Sequence, residues 1–343
     1  MSGISRRAFV QGAGAMAATF GLAACGGQQS GQGGEPSDAN GPTDSTKITF
    51  CLDYTPNTNH TGIYVAQAKG FFDEEGLDVT IVQPAEDTAE AMIGTGQAQL
   101  GVSYQDYIAN ALTGGNTNIE AVAAIVQHNT SGIMSRASDG ITHPAAMEGH
   151  TYATWDLPVE QATIKQVVEK DGGDFGKVKL VPYTVEDDVA GLRANMYDAV
   201  WVYEGWAVQN ATLQDLDINY FSFISVDEVF DYYTPVIAAN VTYAQQNAST
   251  VKAFLRAVKK GYEFAIAQPE ESAAILCEAV PELDAELVAQ SQLFLSTQYQ
   301  ADAASWGVIQ KDRWARFYTW LVENSLVDGE LDVNSGWTME YMA

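Results

Sequence analysis

The chain has 343 residues, of which 46% are hydrophobic and 18% charged. That is enough apolar material for two α/β lobes and too little charge for a disordered polyampholyte. The 17 basic residues against 44 acidic ones leave a net charge of −27, which excludes the clustered Lys and Arg of nonspecific phosphate-backbone binding, so no nucleic-acid partner is expected.

The chain opens with Ser5-Arg6-Arg7-Ala8-Phe9-Val10 and an apolar run from Gly12 to Ala24. This is a charged region followed by a hydrophobic stretch too short for a stable membrane span, so residues 1–24 read as a removable signal peptide. The paired arginines resemble the twin-arginine type of export signal. Leu22-Ala23-Ala24-Cys25 before Gly26 resembles the lipobox of bacterial lipoproteins, with Cys25 as the site of lipid attachment. Residues 25–46 are rich in Gly, Gln, Ser and Asp without a hydrophobic period, the composition of a flexible tether. The expected product is exported and held by lipid at the outer face of the cytoplasmic membrane. Cys51 and Cys277 remain as single cysteines, expected to be inert core residues, and no Cys/His spacing suits a metal.

From Lys47 onward strands alternate with helices. Ile48–Leu52 reads as a strand and Gly62–Ala68 as a helix closed by Lys69-Gly70. Leu77–Val82, Leu100–Ser103 and Ile119–Val126 read as further strands, with helices at Thr88–Ile93 and Tyr107–Leu112 between them. This alternation predicts a mainly parallel sheet. Polar, Gly-containing sequence runs to Gly149, and strands resume at Thr151–Ala153, Lys179–Val181 and Ala199–Val202. After the apolar run Phe221–Val226 comes Val236–Val241, and the rest is helical. Residues 47–140 with 235–343 are expected to form one lobe and 141–234 the other. In the tail, Ser249 is placed to cap a helix whose stripe is Val251, Phe254, Leu255 and Val258. The aromatic set Trp306, Trp314, Phe317, Tyr318 and Trp320 has helical spacing and reads as core packing.

No GxSxG, GxxxxGK[ST], GxGxxG or HExxH motif is present, so hydrolase, nucleotide and zinc-protease readings have no support. His60, His128, His143 and His150 show no triad or metal spacing. The informative segment is Leu52-Asp53-Tyr54-Thr55-Pro56-Asn57-Thr58-Asn59-His60-Thr61-Gly62, between the first strand and the first helix. Ligands in open α/β sheets bind beyond the carboxyl ends of strands. Asp53, Asn57, Asn59 and His60 supply donors and acceptors there, and Tyr54 can stack on a planar ligand. A cap at Asn59 and a turn at Pro56-Asn57 account for part of this loop, but capping needs one residue and the loop supplies several.

The run LDYTPNTNHTGIYVAQAKGFFDEEGLDV, with GVSYQDYI at 101–108, DAVWVYEGW at 198–206 and YYTPV at 232–236, resembles the ABC-transporter solute-binding proteins for thiamine pyrimidine precursors, the ThiY type, and the related yeast pyrimidine synthase. Sulfonate, nitrate and riboflavin binders share the fold. The resemblance implies a type II periplasmic-binding-protein fold of two α/β lobes enclosing a small aromatic heterocycle. It also implies a permease with its ATPase as partners, no cofactor, a monomer and no catalysis.

Glu204 matches an acidic residue of the family pocket and is expected to accept from a pyrimidine amine. Stacking is expected from Tyr54, Tyr104, Trp155, Trp206 and Tyr233, and Ser103 and Tyr203 complete the expected site. The synthase carries a cysteine-rich segment where this chain has Tyr232-Tyr233-Thr234-Pro235. Phosphate-binding relatives place a basic, glycine-containing turn where this chain has Trp155-Asp156-Leu157-Pro158-Val159-Glu160. A non-phosphorylated formylaminopyrimidine or hydroxymethylpyrimidine is therefore expected. Riboflavin or another flat heterocycle is the alternative, an alkylsulfonate a weaker one, and a synthase-like enzyme using His60 the alternative of another class.

Overall fold

Apolar runs broken at short intervals by helix caps and turns build two five-stranded sheets. The structure, a computed structural model, describes residues 45–84, 88–185 and 187–342; the expected signal segment, Cys25 and residues 25–44 of the tether lie outside the described residues. In chain order the strands are β1 (Thr46–Cys51), β2 (Leu77–Val82), β3 (Leu100–Ser103), β4 (Ile119–Ala124) and β5 (Ser131–Arg136). They continue as β6 (Thr151–Thr154), β7 (Lys179–Pro182), β8 (Ala199–Tyr203), β9 (Ile218–Ser222) and β10 (Val236–Asn240). One sheet runs β2-β1-β3-β10-β4 and the other β7-β6-β8-β5-β9.

Four of the eight strand pairings are parallel and four antiparallel, so the sheets are mixed and not mainly parallel as expected; the antiparallel pairings belong to one strand in each sheet. Strand β10 is antiparallel to β3 and β4, and β5 is antiparallel to β8 and β9. These two strands are the ones by which the chain enters the second lobe and returns from it. The lobe boundary therefore falls between Ala124 and Ser131, earlier than the expected 140/141. The segment Ser131-Gly132-Ile133-Met134-Ser135-Arg136 looks polar in composition, yet its first five residues are buried because β8 and β9 flank it on both sides. Gly132 is required there: a Cβ would lie 2.2 Å from the Phe221 carbonyl oxygen. The apolar run Phe221–Val226 is divided, its first two residues ending β9 and the rest forming a short helix.

The helical tail packs on the first lobe. Helix Ala248–Ala267 lies against helix Thr61–Ala68, so close that a Cβ on Gly261 would sit 2.0 Å from the Gly62 carbonyl oxygen. Val251, Phe254, Leu255 and Val258 are buried, as are all five tail aromatics, in agreement with a packing role. The cap is Asn247, not Ser249, because the helix begins one residue before that serine. No helix among the described residues is long and apolar enough to cross a membrane.

Candidate functional site

The loop after β1 is held from below. The Asn57 side chain caps the single turn Thr58–His60, accepting from the Asn59 N–H at 2.9 Å, so Asn57 and not Asn59 is the cap. The Asn57 N–H donates to His60 Nδ1 at 3.1 Å, which leaves the His60 proton on Nε2, where it meets Asp53 Oδ1 at 2.6 Å. The Tyr104 hydroxyl donates to the other Asp53 oxygen. Burial pushes the Asp53 carboxyl up, but His60 and Tyr104 outweigh it and hold it below the usual carboxylate range. Burial and the Asp53 charge raise the Tyr104 phenol well above its ordinary value, so it stays a donor. The tail secures the same loop: Tyr299 OH donates to the Thr58 carbonyl at 2.7 Å and Tyr262 OH to the Asn59 carbonyl at 2.7 Å.

Between the lobes lies a cleft with two adjoining chambers. The inner one, about 480 Å³, is lined by Asp53, Tyr54, Asn57 and Asn59 from the loop, with Thr130, Tyr183, Trp206 and Thr234 facing them. The outer one, about 750 Å³, adds Asp106, Tyr107, Asn110, Trp201 and Tyr232. Tyr54, Tyr104, Trp155 and Tyr203 line both. Tyr54 and Trp155 are 65% and 40% exposed, large apolar surfaces left open to the cleft. Among the described residues, no Lys, Arg or His lines either chamber.

The wall carrying Trp155 is fixed by Glu160. This buried carboxylate accepts from Tyr152 OH at 2.6 Å, Thr154 Oγ1 at 2.9 Å and the Trp155 and Leu157 N–H groups. It thereby fills the N-terminus of helix Pro158–Lys170, the place where a phosphate would otherwise sit.

Four expected site residues do not line the cleft. His60 is buried behind Asp53. Ser103 is fully buried and donates to Glu90 Oε1 at 2.6 Å. Glu204 opens the helical turn Glu204–Val208 that follows β8 and is not among the residues lining the cleft; Tyr203 lines it, while the Glu204 charge acts on Tyr220 and burial raises the Glu204 carboxyl. Tyr233, in the loop before β10, also turns away from the cleft. Its neighbours Tyr232 and Thr234 line the cleft, whereas its ring stacks on Trp314 and its hydroxyl accepts from the Gln310 N–H at 2.8 Å. The sequence reading missed Asp106, Tyr107, Tyr183, Trp201 and Tyr232. Asp106 and Tyr183 lie just past β3 and β7, so the carboxyl-end rule applied to every strand would have found both.

The model of the NMT1/THI5 like family matches residues 57–272. The chain belongs to that family. Among its relatives is the formylaminopyrimidine-binding protein of Halalkalibacterium halodurans, 29% identical, covering 80% of this chain and 84% of that one. The 4-amino-5-hydroxymethyl-2-methylpyrimidine phosphate synthase THI11 of Saccharomyces cerevisiae is 24% identical over 70% of this chain and 73% of its own length. The crystal structure of the periplasmic aliphatic sulphonate binding protein SsuA from Escherichia coli superposes with a TM-score of 0.68 at 16% identity, covering 84% of this chain and 96% of that one. The two-lobed fold is thus that of type II periplasmic binding proteins.

Proposed function

We propose that this protein captures a non-phosphorylated thiamine pyrimidine precursor, formylaminopyrimidine or hydroxymethylpyrimidine, and delivers it to an ABC permease and its ATPase. The observation that carries the reading is the cleft wall: aromatic side chains from both lobes, carboxylates among them, and no cationic group among the described residues. Such a wall suits a flat, amine-bearing ring and offers an anion no counter-charge. That counts against an alkylsulfonate, and the carboxylate in the helix N-terminus counts against a phosphorylated ligand. The relative named as a formylaminopyrimidine-binding protein supports the same ligand class.

A binding role without catalysis fits the residues better than a synthase does. His60, the candidate for enzyme chemistry, is buried and occupied at both ring nitrogens. Export with lipid attachment at Cys25 rests on the twin-arginine and lipobox pattern and completes the proposal, with a monomer tethered at the outer face of the cytoplasmic membrane. Mass spectrometry of ligand released from the purified protein tests the ligand class: an aminopyrimidine supports it, whereas riboflavin or a sulfonate overturns it. Solution scattering tests the mode of binding, with a smaller radius of gyration at saturation expected from lobe closure.

A further inference from the structure

The two carboxylates that reach the cleft from the first lobe's strand ends differ in what they already hold. Both Asp53 oxygens are taken, one by His60 and one by Tyr104. Asp106, in the first turn of helix Gln105–Thr113, lines the outer chamber among Tyr104, Tyr107, Tyr203 and Tyr232. Among the described residues it has no ion pair and no side-chain donor. The chamber's other carboxylates among the described residues are Glu160, already saturated by its four donors, and Asp328, which is exposed. A second vacancy lies in the same wall. The Trp201 indole is 6% exposed and lines the chamber, and its Nε1–H has no hydrogen-bond partner among the described residues. An acceptor held only by N–H groups of its own helix turn, and a buried donor without a partner among the described residues, in one aromatic chamber are the complement of a ring that bears an amine and an acceptor.

We propose that the outer chamber is the ring-recognition subsite, with Asp106 accepting from the exocyclic amine and Trp201 Nε1–H donating to an acceptor of the same heterocycle. This rests on the aminopyrimidine reading and assigns the amine to a different residue from the one expected at Glu204. Asp106 is the suitable acid because burial, with the nearby Glu90 charge, has already pushed its carboxyl up to about 6, against the opposing pull of the helix N–H groups. A poorly solvated carboxylate loses little hydration when an amine displaces the remaining water.

Calorimetric titration with 4-amino-5-hydroxymethyl-2-methylpyrimidine and its 4-oxo analogue tests the subsite. Wild type should prefer the amine by about tenfold or more, D106N should lose about that factor for the amine and little for the 4-oxo compound, and W201F should weaken both. Amine affinity unchanged in D106N removes Asp106 while leaving the pyrimidine reading standing. Failure of the wild type to bind either pyrimidine, with riboflavin or a sulfonate bound instead, overturns that reading and the subsite together. Should D106N not fold, the wild type decides alone: equal affinity for the amine and the 4-oxo compound overturns the proposal.

Discussion

His128 Nδ1 lies 2.9 Å from Asp231 Oδ2, so the two segments that cross between the lobes are joined by a titratable pair. Asn129 Nδ2 adds a bond to the Phe230 carbonyl at 2.9 Å, and Arg313 reaches Asp231 at 3.4 Å. The hydrogen bond to Asp231 raises His128 above its ordinary value, burial opposes this, and Asp302 reinforces it. A raised histidine contributes stability that is complete below its unfolded value of about 6.5 and disappears as pH climbs through the folded value. The wild type should therefore exceed His128→Gln in urea midpoint at pH 6, and the gap should shrink by pH 8.5. A gap that stays constant over that interval would show that the pair does not link proton binding to folding.

Beneath the cleft, His60 and Asp53 form a pair whose side chains are 0% and 5% exposed. Removing one member of a buried pair costs about 3–5 kcal/mol, because the other charge is left in place. His60→Ala should lower stability by that order, and His60→Ala with Asp53→Asn should recover part of the loss. Because Asp53 is held below the usual carboxylate range, its contribution is present above that range and is lost as pH falls through the folded value. If chemical denaturation finds the double variant no more stable than His60→Ala, the charge argument is wrong and the cost is one of packing alone.

Asp106 has the opposite sign. Its carboxyl rises from 3.8 to about 6 on folding, first through burial and then through Glu90. Ionised Asp106 therefore destabilises the fold: the favourable contribution exists below about pH 4 and is lost as pH rises through 6. Asp106→Asn should be more stable than wild type at pH 7.5, by up to about 3 kcal/mol, since every tenfold gain in proton affinity on folding corresponds to about 1.4 kcal/mol. Thermal unfolding at pH 7.5 without ligand checks this, and a less stable variant would refute the assigned cost. Gain in stability with loss of binding is the pattern of a group kept for function.

The strand ladder of both lobes, β9 apart, was legible because apolar runs of four to six residues stand between Gly, Pro and capping residues. Strand β5 was not, since burial on both sides comes from β8 and β9, neighbours distant in sequence, and lets small and polar residues occupy a central strand. The site was legible to the level of the loop but not of the face. Glu204 and Tyr233 sit one residue away from cleft-lining positions, but Glu204 opens a helical turn and Tyr233 lies in the loop before β10, where no two-residue period tells which way a side chain turns. Asp106 escaped because the helix starts at Gln105, two residues before the expected Tyr107.

Attachment at the membrane can be tested without ligand. Cys25 closes Leu22-Ala23-Ala24 and precedes Gly26, and one acyl-bearing cysteine is the anchor proposed. Cys25→Ser should move the protein from the membrane fraction to the soluble fraction of the cell envelope, with its size unchanged apart from signal processing. Persistence of the variant in washed membranes would refute lipid attachment at Cys25.

Trp155 and Glu204 differ in what they offer a bound ring. Trp155 lines both chambers, and its ring contacts Trp201 at 5.8 Å and Tyr183 at 6.1 Å between centroids. With 40% of its surface open to the cleft, the indole contributes modestly to the unliganded fold and has most to gain by covering a ring when the lobes close. Aromatic anchors buried on binding commonly contribute about 2 kcal/mol or more, so Trp155→Ala should weaken an aminopyrimidine by about thirtyfold with little change in thermal stability. Glu204 lies outside the lining of both chambers, so Glu204→Gln should alter the same affinity by no more than about twofold. Calorimetry on the two variants separates the assignments. A tenfold loss in Glu204→Gln would return the amine to Glu204 and away from Asp106, and undiminished binding by Trp155→Ala would place the ring off the aromatic wall altogether.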